Sequence, residues 1–145
     1  MIRKNLKIVI CVFLLGIFMG TSAVAFATEI EGDWSMFPVD DIFFKNRSKI
    51  ISDFFLGVYG YTWVETEYAL PAGYIGASAY LYESPSGIMR LSSGVKYTTT
   101  STNWLSQATG YRNVSGTYYS KGNSLHFTSG GYVTKGTVRT PNLVY

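Results

Sequence analysis

The chain has 145 residues, twelve Lys and Arg against nine Asp and Glu, one His and one Cys, for a formal net charge of +3. A lone histidine and a lone cysteine are too few ligands for a zinc site, and a single thiol excludes an internal disulfide. No phosphate loop, dinucleotide fingerprint or G-x-S-x-G elbow occurs, so neither a metal nor a cofactor is expected.

Taken in chain order, Arg3, Lys4 and Lys7 precede an apolar run over residues 8–18, and small residues follow, ending in Ala25-Phe26-Ala27. That order is a secretory signal peptide, with cleavage expected after Ala27 or, alternatively, after Ala25. The run is too short to cross a bilayer comfortably, which takes roughly 20 apolar residues. Cys11 lies inside it. Without residues 1–27 the chain keeps 118 residues, nine bases and nine acids, and is formally neutral. A neutral, cysteine-free secreted domain must hold together by burial alone, a habit of Gram-positive bacteria.

Residues 28–57 carry six acids (Glu29, Glu31, Asp33, Asp40, Asp41, Asp53) against Lys45, Arg47 and Lys49. An acidic lead-in and one amphipathic helix are expected here. Asp40 is its candidate N-cap, with Asp41 in the first turn, and Gly57 suits the residue past its end. Phe43, Ile50 and Phe54, like Phe44, Ile51 and Phe55, recur at spacings of seven and four along one face. The segment is a packed helix, a removable pro-segment or, ranked last because three bases against two flanking acids make a poor polar face for anionic lipid, a membrane-surface helix.

From residue 58 to 145 the period is two. Thr62, Val64, Thr66 and Tyr68 alternate with Trp63, Glu65 and Glu67. Over residues 74–83, Ile75, Ala77, Ala79 and Leu81 oppose Tyr74, Gly76, Ser78, Tyr80 and Tyr82. Ser84-Pro85-Ser86-Gly87 reads as a type I turn. Further strands are expected over residues 88–92, 95–100, 103–111, 117–120, 124–128 and 132–139. Gly122-Asn123 and Gly130-Gly131 would make hairpin turns, and Pro141 would stop the last strand. The fold class is therefore all-β, a single antiparallel sandwich or barrel-like domain.

Chemistry is sparse. His126 alternates with Leu125 and Phe127 and reads as an ordinary strand histidine, since every acid lies far back in sequence. Glu65 and Glu67 share a strand face roughly 7 Å apart, a separation that suits paired-carboxylate glycoside hydrolysis and equally two exposed glutamates. Surface character stands out more. Trp63, Tyr74, Tyr80, Tyr82 and Trp104 are candidate stacking residues for sugar rings or a membrane interface. No acid follows Glu83, while Arg90, Lys96, Arg112, Lys121, Lys135 and Arg139 do, a +6 field over the last 62 residues. Lys121, Lys135 and Arg139 are thus candidate contacts for a polyanion such as a wall polymer, or for anionic lipid. Nucleic acid is not expected, because the chain is exported. The −3 and +3 halves further suggest that residues 28–57 cover the basic part and mask its charge, held by Phe43, Ile50 and Phe54.

Pro71-Ala72-Gly73-Tyr74-Ile75-Gly76-Ala77 with Tyr80-Leu81-Tyr82, then Gly116-Thr117-Tyr118-Tyr119-Ser120-Lys121-Gly122 and Thr140-Pro141-Asn142, resemble small secreted proteins of Bacillus-type bacteria and their prophages. The likeness covers about residues 60–145 and implies export and an all-β domain. It brings no mechanism and no site residues. The Tyr/Gly/Thr-rich, cysteine-free style is also similar to that of β-sandwich bacteriocins, without a shared motif. The expectation is a secreted, non-enzymatic protein binding at a Gram-positive cell envelope, either a bacteriocin-like antagonist or a wall- or glycan-binding module. The alternative is a small secreted hydrolase using Glu65 and Glu67.

Overall fold

The computed structural model describes residues 27–145. The expected leader, with Cys11, falls on residues 1–26 and lies outside the described residues. Eleven strands follow: β1 (Thr28–Glu31), β2 (Ser35–Val39), β3 (Ile42–Asp53), β4 (Gly57–Leu70), β5 (Ile75–Glu83), β6 (Met89–Ser92), β7 (Lys96–Tyr97), β8 (Thr102–Ala108), β9 (Thr117–Thr128), β10 (Gly131–Gly136) and β11 (Leu143–Val144). They form two antiparallel sheets. Sheet I runs β1-β3-β4-β8, with β2 continuing the β1 edge of β3. Sheet II runs β10-β9-β5-β6, with β11 and β7 continuing its two edges. Three of the four edges are thus made of two short pieces, which leaves little continuous unpaired backbone for another chain to pair with.

The amphipathic helix expected between Asp40 and Gly57 is instead strand β3. Its inward positions are Phe44, Asn46, Ser48 and Ile50, each at most 1% exposed. Two of these four are polar, so the period of two is hidden in the hydrophobic pattern, and the remaining apolar residues fall at spacings that imitate a helix face. Asp40 and Asp41 do not cap a helix. They form a two-residue hairpin loop between β2 and β3 with positive φ at both (48° and 63°), the conformation of a type I′ turn. Residues 28–57 are therefore not a separate lead-in. β3 pairs with β4 from Phe44↔Thr66 to Asp53↔Gly57.

Two turns also differ from expectation. Gly122-Asn123 is not a hairpin but the middle of the twelve-residue strand β9. In the Ser84–Gly87 turn the Ser84-Pro85 peptide is cis, and the Gly87 N–H donates to the Glu83 carbonyl at 2.9 Å, so it is not type I. The Gly130-Gly131 turn does join β9 to β10, in register Gly131↔Thr128.

The core between the sheets has two apolar ends. One gathers Val39, Phe44, Val64, Leu70, Ile75, Ala77 and Leu105, and the other Ile50, Val58, Leu81, Tyr118 and Leu143. Between them lies a polar middle. Thr62 Oγ1 donates to the Ser78 carbonyl (3.0 Å), Ser48 Oγ to the Val138 carbonyl (2.5 Å), and Asn46 Nδ2 to Ser124 Oγ (2.6 Å). The Thr62 and Asn46 bonds tie one sheet to the other, and the Ser48 bond ties sheet I to the segment after β10, at positions that a conventional sandwich fills with aliphatics.

Candidate functional site

Alternation fixes what each sheet shows to solvent. Ile75, Ala77, Ala79 and Leu81 of β5 oppose His126, Ser124, Gly122 and Ser120 of β9 on the inner face. Tyr80, Tyr82, Tyr119 and Lys121 therefore share the outer face of sheet II. Tyr82 and Tyr119 are directly cross-strand, and their rings stack with centroids 5.1 Å apart and planes 7° apart. Arg139 lies over the Tyr119 ring, its Cζ 3.8 Å from the centroid, and donates to Asn142 Oδ1 at 2.5 Å. Tyr80 packs edge-on to Tyr82 at 6.4 Å, and its hydroxyl lies 2.9 Å from Ser78 Oγ and 3.2 Å from Asn123 Nδ2. Burial among these rings, followed by the neighbouring Tyr119 and Tyr80 phenols, raises the Tyr82 phenol above its usual range, so it stays neutral.

The same face continues past Leu125 to a second group of rings. Tyr74 packs on Phe127 (5.0 Å), Phe127 on Tyr132 (5.4 Å), and Tyr132 on Tyr97 (4.9 Å). Tyr97 covers the backbone of Gly76, where a Cβ would meet its ring carbons at 2.9 Å, and the Tyr132 hydroxyl donates to the Gly73 carbonyl at 2.8 Å. Glu83, the nearest acid in sequence, is occupied by Arg90 at 2.5 Å. The face is a row of fastened rings with Lys121 and Arg139 as its cations, and rings already held in place lose little freedom on binding.

Of the residues nominated from the sequence, Tyr74, Tyr80, Tyr82, Lys121 and Arg139 come together here. Trp63 and Trp104 stack on one another (5.2 Å, 10°) on the outer face of sheet I. Lys135 stands at the β10 edge, its Nζ 5.9 Å from the Phe37 ring centroid. Tyr97, Tyr119, Phe127 and Tyr132 were not nominated. A period of two carried unbroken from Tyr119 to Phe127 would have found two of them, had Gly122 not read as a turn.

Sheet I shows a different surface, one of matched charges. Arg47 pairs with Glu31, Lys49 with Glu29 and Glu31 (2.6 Å each), and Lys45 with Glu65 (3.1 Å). Hydrogen bonding to Lys49 lowers the Glu31 carboxyl against the opposing effect of its partial burial. Burial alone would depress Lys49, but its hydrogen bonds to Glu29 and Glu31 outweigh this and raise it. Glu65 and Glu67 line an open groove of about 540 Å³ with Met36, Phe43, Lys45 and Asn103, and the Glu65 carboxylate is ion-paired to Lys45.

His126 is fully buried between the sheets. Its Nε2 lies 2.9 Å from Ser124 Oγ and its ring 3.8 Å from that of Phe44, while Nδ1 has no partner. This serine–histidine couple is sealed from solvent, and among the described residues no carboxylate is hydrogen-bonded to it. Burial, with a smaller contribution from the Lys135 charge, lowers the imidazole from 6.5 to about 4. The sign follows directly. Below pH 6.5 the unfolded chain binds a proton that the folded chain refuses until about pH 4. Stability should therefore fall by about 3 kcal/mol as pH drops through that window. Denaturant titrations at pH 7, 5.5 and 4 check this. His126→Phe keeps a ring against Phe44 and should flatten the slope, and an identical slope in both proteins would refute the assignment.

Comparison with family models, with curated proteins and with solved structures finds no match to this chain.

Proposed function

We propose that this is a secreted, non-enzymatic protein of a Gram-positive bacterium that binds an anionic glycan or wall polymer along the outer face of sheet II. The single observation behind this reading is the Tyr82–Tyr119–Arg139 stack beside Lys121, on a face whose rings continue to Tyr132. Sugar rings present C–H faces that pack on aromatic rings, and their phosphate or carboxylate groups suit a guanidinium and an ammonium at the same spot. The leader of basic, apolar and small residues supports delivery to the envelope, as does the resemblance to secreted Bacillus-type proteins. Binding is preferred to glycoside hydrolysis because Glu65 is ion-paired to Lys45.

The test is a pull-down of the protein on whole cells, peptidoglycan, teichoic acid and anionic vesicles. Tyr82→Ala with Tyr119→Ala should weaken capture by the wall polymer roughly tenfold. Lys121→Gln with Arg139→Gln should flatten its salt dependence. Undiminished capture by the tyrosine double variant would place the site elsewhere.

A further inference from the structure

At one end of the sandwich the β3–β4 hairpin closes on three consecutive apolar residues that the fold does not use. Phe54 and Phe55 are each 74% exposed and Leu56 52%. The two phenyl rings meet edge to face at 5.2 Å. Asp53 Oδ1 accepts from the Phe55 and Leu56 N–H groups, both at 2.9 Å, so two of the tip's backbone donors are already satisfied inside the chain. Each donor satisfied in this way lowers the cost of entering a medium without water, where an unpaired N–H is costly.

A second loop stands beside the tip. Arg112 exchanges both backbone hydrogen bonds with Val58 (2.9 and 3.0 Å), bringing Tyr111 and Val114, about half exposed, to the same end. Tyr111 packs edge to face on Tyr59 at 4.9 Å. Of the charged groups at this end, Glu29 and Lys49 form an ion pair, while Asp53 and Arg112 make hydrogen bonds to neutral groups. Asp53 caps the turn, and Arg112 Nε donates to the Tyr118 hydroxyl at 3.1 Å.

The chain itself indicates what this end faces. β1 begins at Thr28, which pairs with Ser52, so the polypeptide preceding β1 joins the domain next to the tip. Only residues 19–27 separate it from the apolar run 8–18. Fully extended, they reach about 30 Å. Until the expected leader is cleaved, the Phe54-Phe55-Leu56 end is therefore the end of the domain nearest to that run.

We infer that the Phe54-Phe55-Leu56 tip, flanked by Tyr111 and Val114, is a lipid-contacting loop that inserts its side chains into the interface of a bilayer. The side chains offered by the tip are apolar, so the contact does not require anionic headgroups. It is separate from the sheet II face, so either assignment stands or falls without the other.

The experiment is flotation with phosphatidylcholine vesicles lacking anionic lipid, at low and high salt. It uses the chain from Thr28 to Tyr145, which contains all eleven strands. The protein should float at both salt concentrations, and Phe54→Ser with Phe55→Ser should weaken binding by about tenfold or more. Phe55→Trp should emit further to the blue when vesicles are added. The double variant should keep the circular dichroism spectrum and cooperative melt of the wild type, showing that it is folded. Failure of the wild type to float, equal flotation by the double variant, or binding lost at high salt would each overturn the inference. So would capture by cells that depends on Phe54 and Phe55 while vesicles are not bound, which would assign the tip to a protein partner.

Discussion

A chain that begins at Val58 is expected to be unfolded. Deleting residues 28–57 removes β1, β2 and β3, and with them the ten β3–β4 pairs from Phe44↔Thr66 to Asp53↔Gly57. β4 and β8 would be left as a two-stranded remnant, which is too small a sheet to persist alone in water. Val39, Phe44 and Ile50 would leave the two apolar clusters, baring Val58, Val64, Leu81 and Tyr118 on the remaining sheets. Ser124 would lose Asn46, and the Val138 carbonyl would lose Ser48. Circular dichroism of the truncated chain should lack the sheet signal of the longer one, and heating should give no cooperative transition. A sharp melt would refute this and would restore a removable segment.

The same pairing changes the meaning of the charge division in the sequence. The acids Glu29 and Glu31 engage Arg47 and Lys49 of their own segment, so their charge is met before it reaches β9. Of the three residues expected to hold a mask in place, only Ile50 is buried. Phe43 is 48% exposed and Phe54 74%. Lys121 lies on the outer face of sheet II, whereas Arg139 both stacks on Tyr119 of that face and lines a groove with Glu31, Gly32 and Asp33 of the segment. Residues 28–57 supply three strands of sheet I.

What could be read from the sequence depended on how ordinary the core positions were. In β5 the inner residues Ile75, Ala77, Ala79 and Leu81 are all apolar, and the strand is legible from alternation alone. The sandwich class followed from that strand and its neighbours. β3 was illegible because Asn46 and Ser48 occupy core positions, and a hydrophobic pattern cannot show a hydrogen bond to a strand 70 or more residues away. The aromatic face was half legible. Tyr74, Tyr80 and Tyr82 declare themselves on β5, whereas Tyr119 and Phe127 needed β9 to be read as one strand. The stack of Arg139 on Tyr119 depends on where the chain runs after β10, which no local pattern specifies.

Gly122, the residue that broke β9 in the sequence, should be among the least replaceable in the protein. In an ordinary strand, Gly→Ala gains roughly 0.5–1 kcal/mol by restricting the unfolded chain and adding a packing methyl. Here the two sheets approach so closely that a Cβ on Gly122 would fall within the shell of Thr62 Oγ1. It would also lie 2.5 Å from the Ser78 carbonyl oxygen and 2.9 Å from Thr62 Cβ. Thr62 cannot simply turn aside, because its hydroxyl donates to that same Ser78 carbonyl and it is fully buried. Separating the sheets would break the polar middle that joins the two apolar ends. The clash outweighs the propensity gain, and Gly122→Ala should destabilise by about 3 kcal/mol or more. Adding Thr62→Ala would relieve the hydroxyl contact but leave the backbone oxygen and the Cβ in place, so rescue should be partial. Gly130 is the control. Its nearest neighbour to an added Cβ is Thr128 Oγ1 at 3.8 Å, and Gly130→Ala should change stability by less than about 1 kcal/mol. Denaturant midpoints of the three variants decide the matter. A Gly122→Ala protein as stable as Gly130→Ala would mean that the sheets are not held at this spacing.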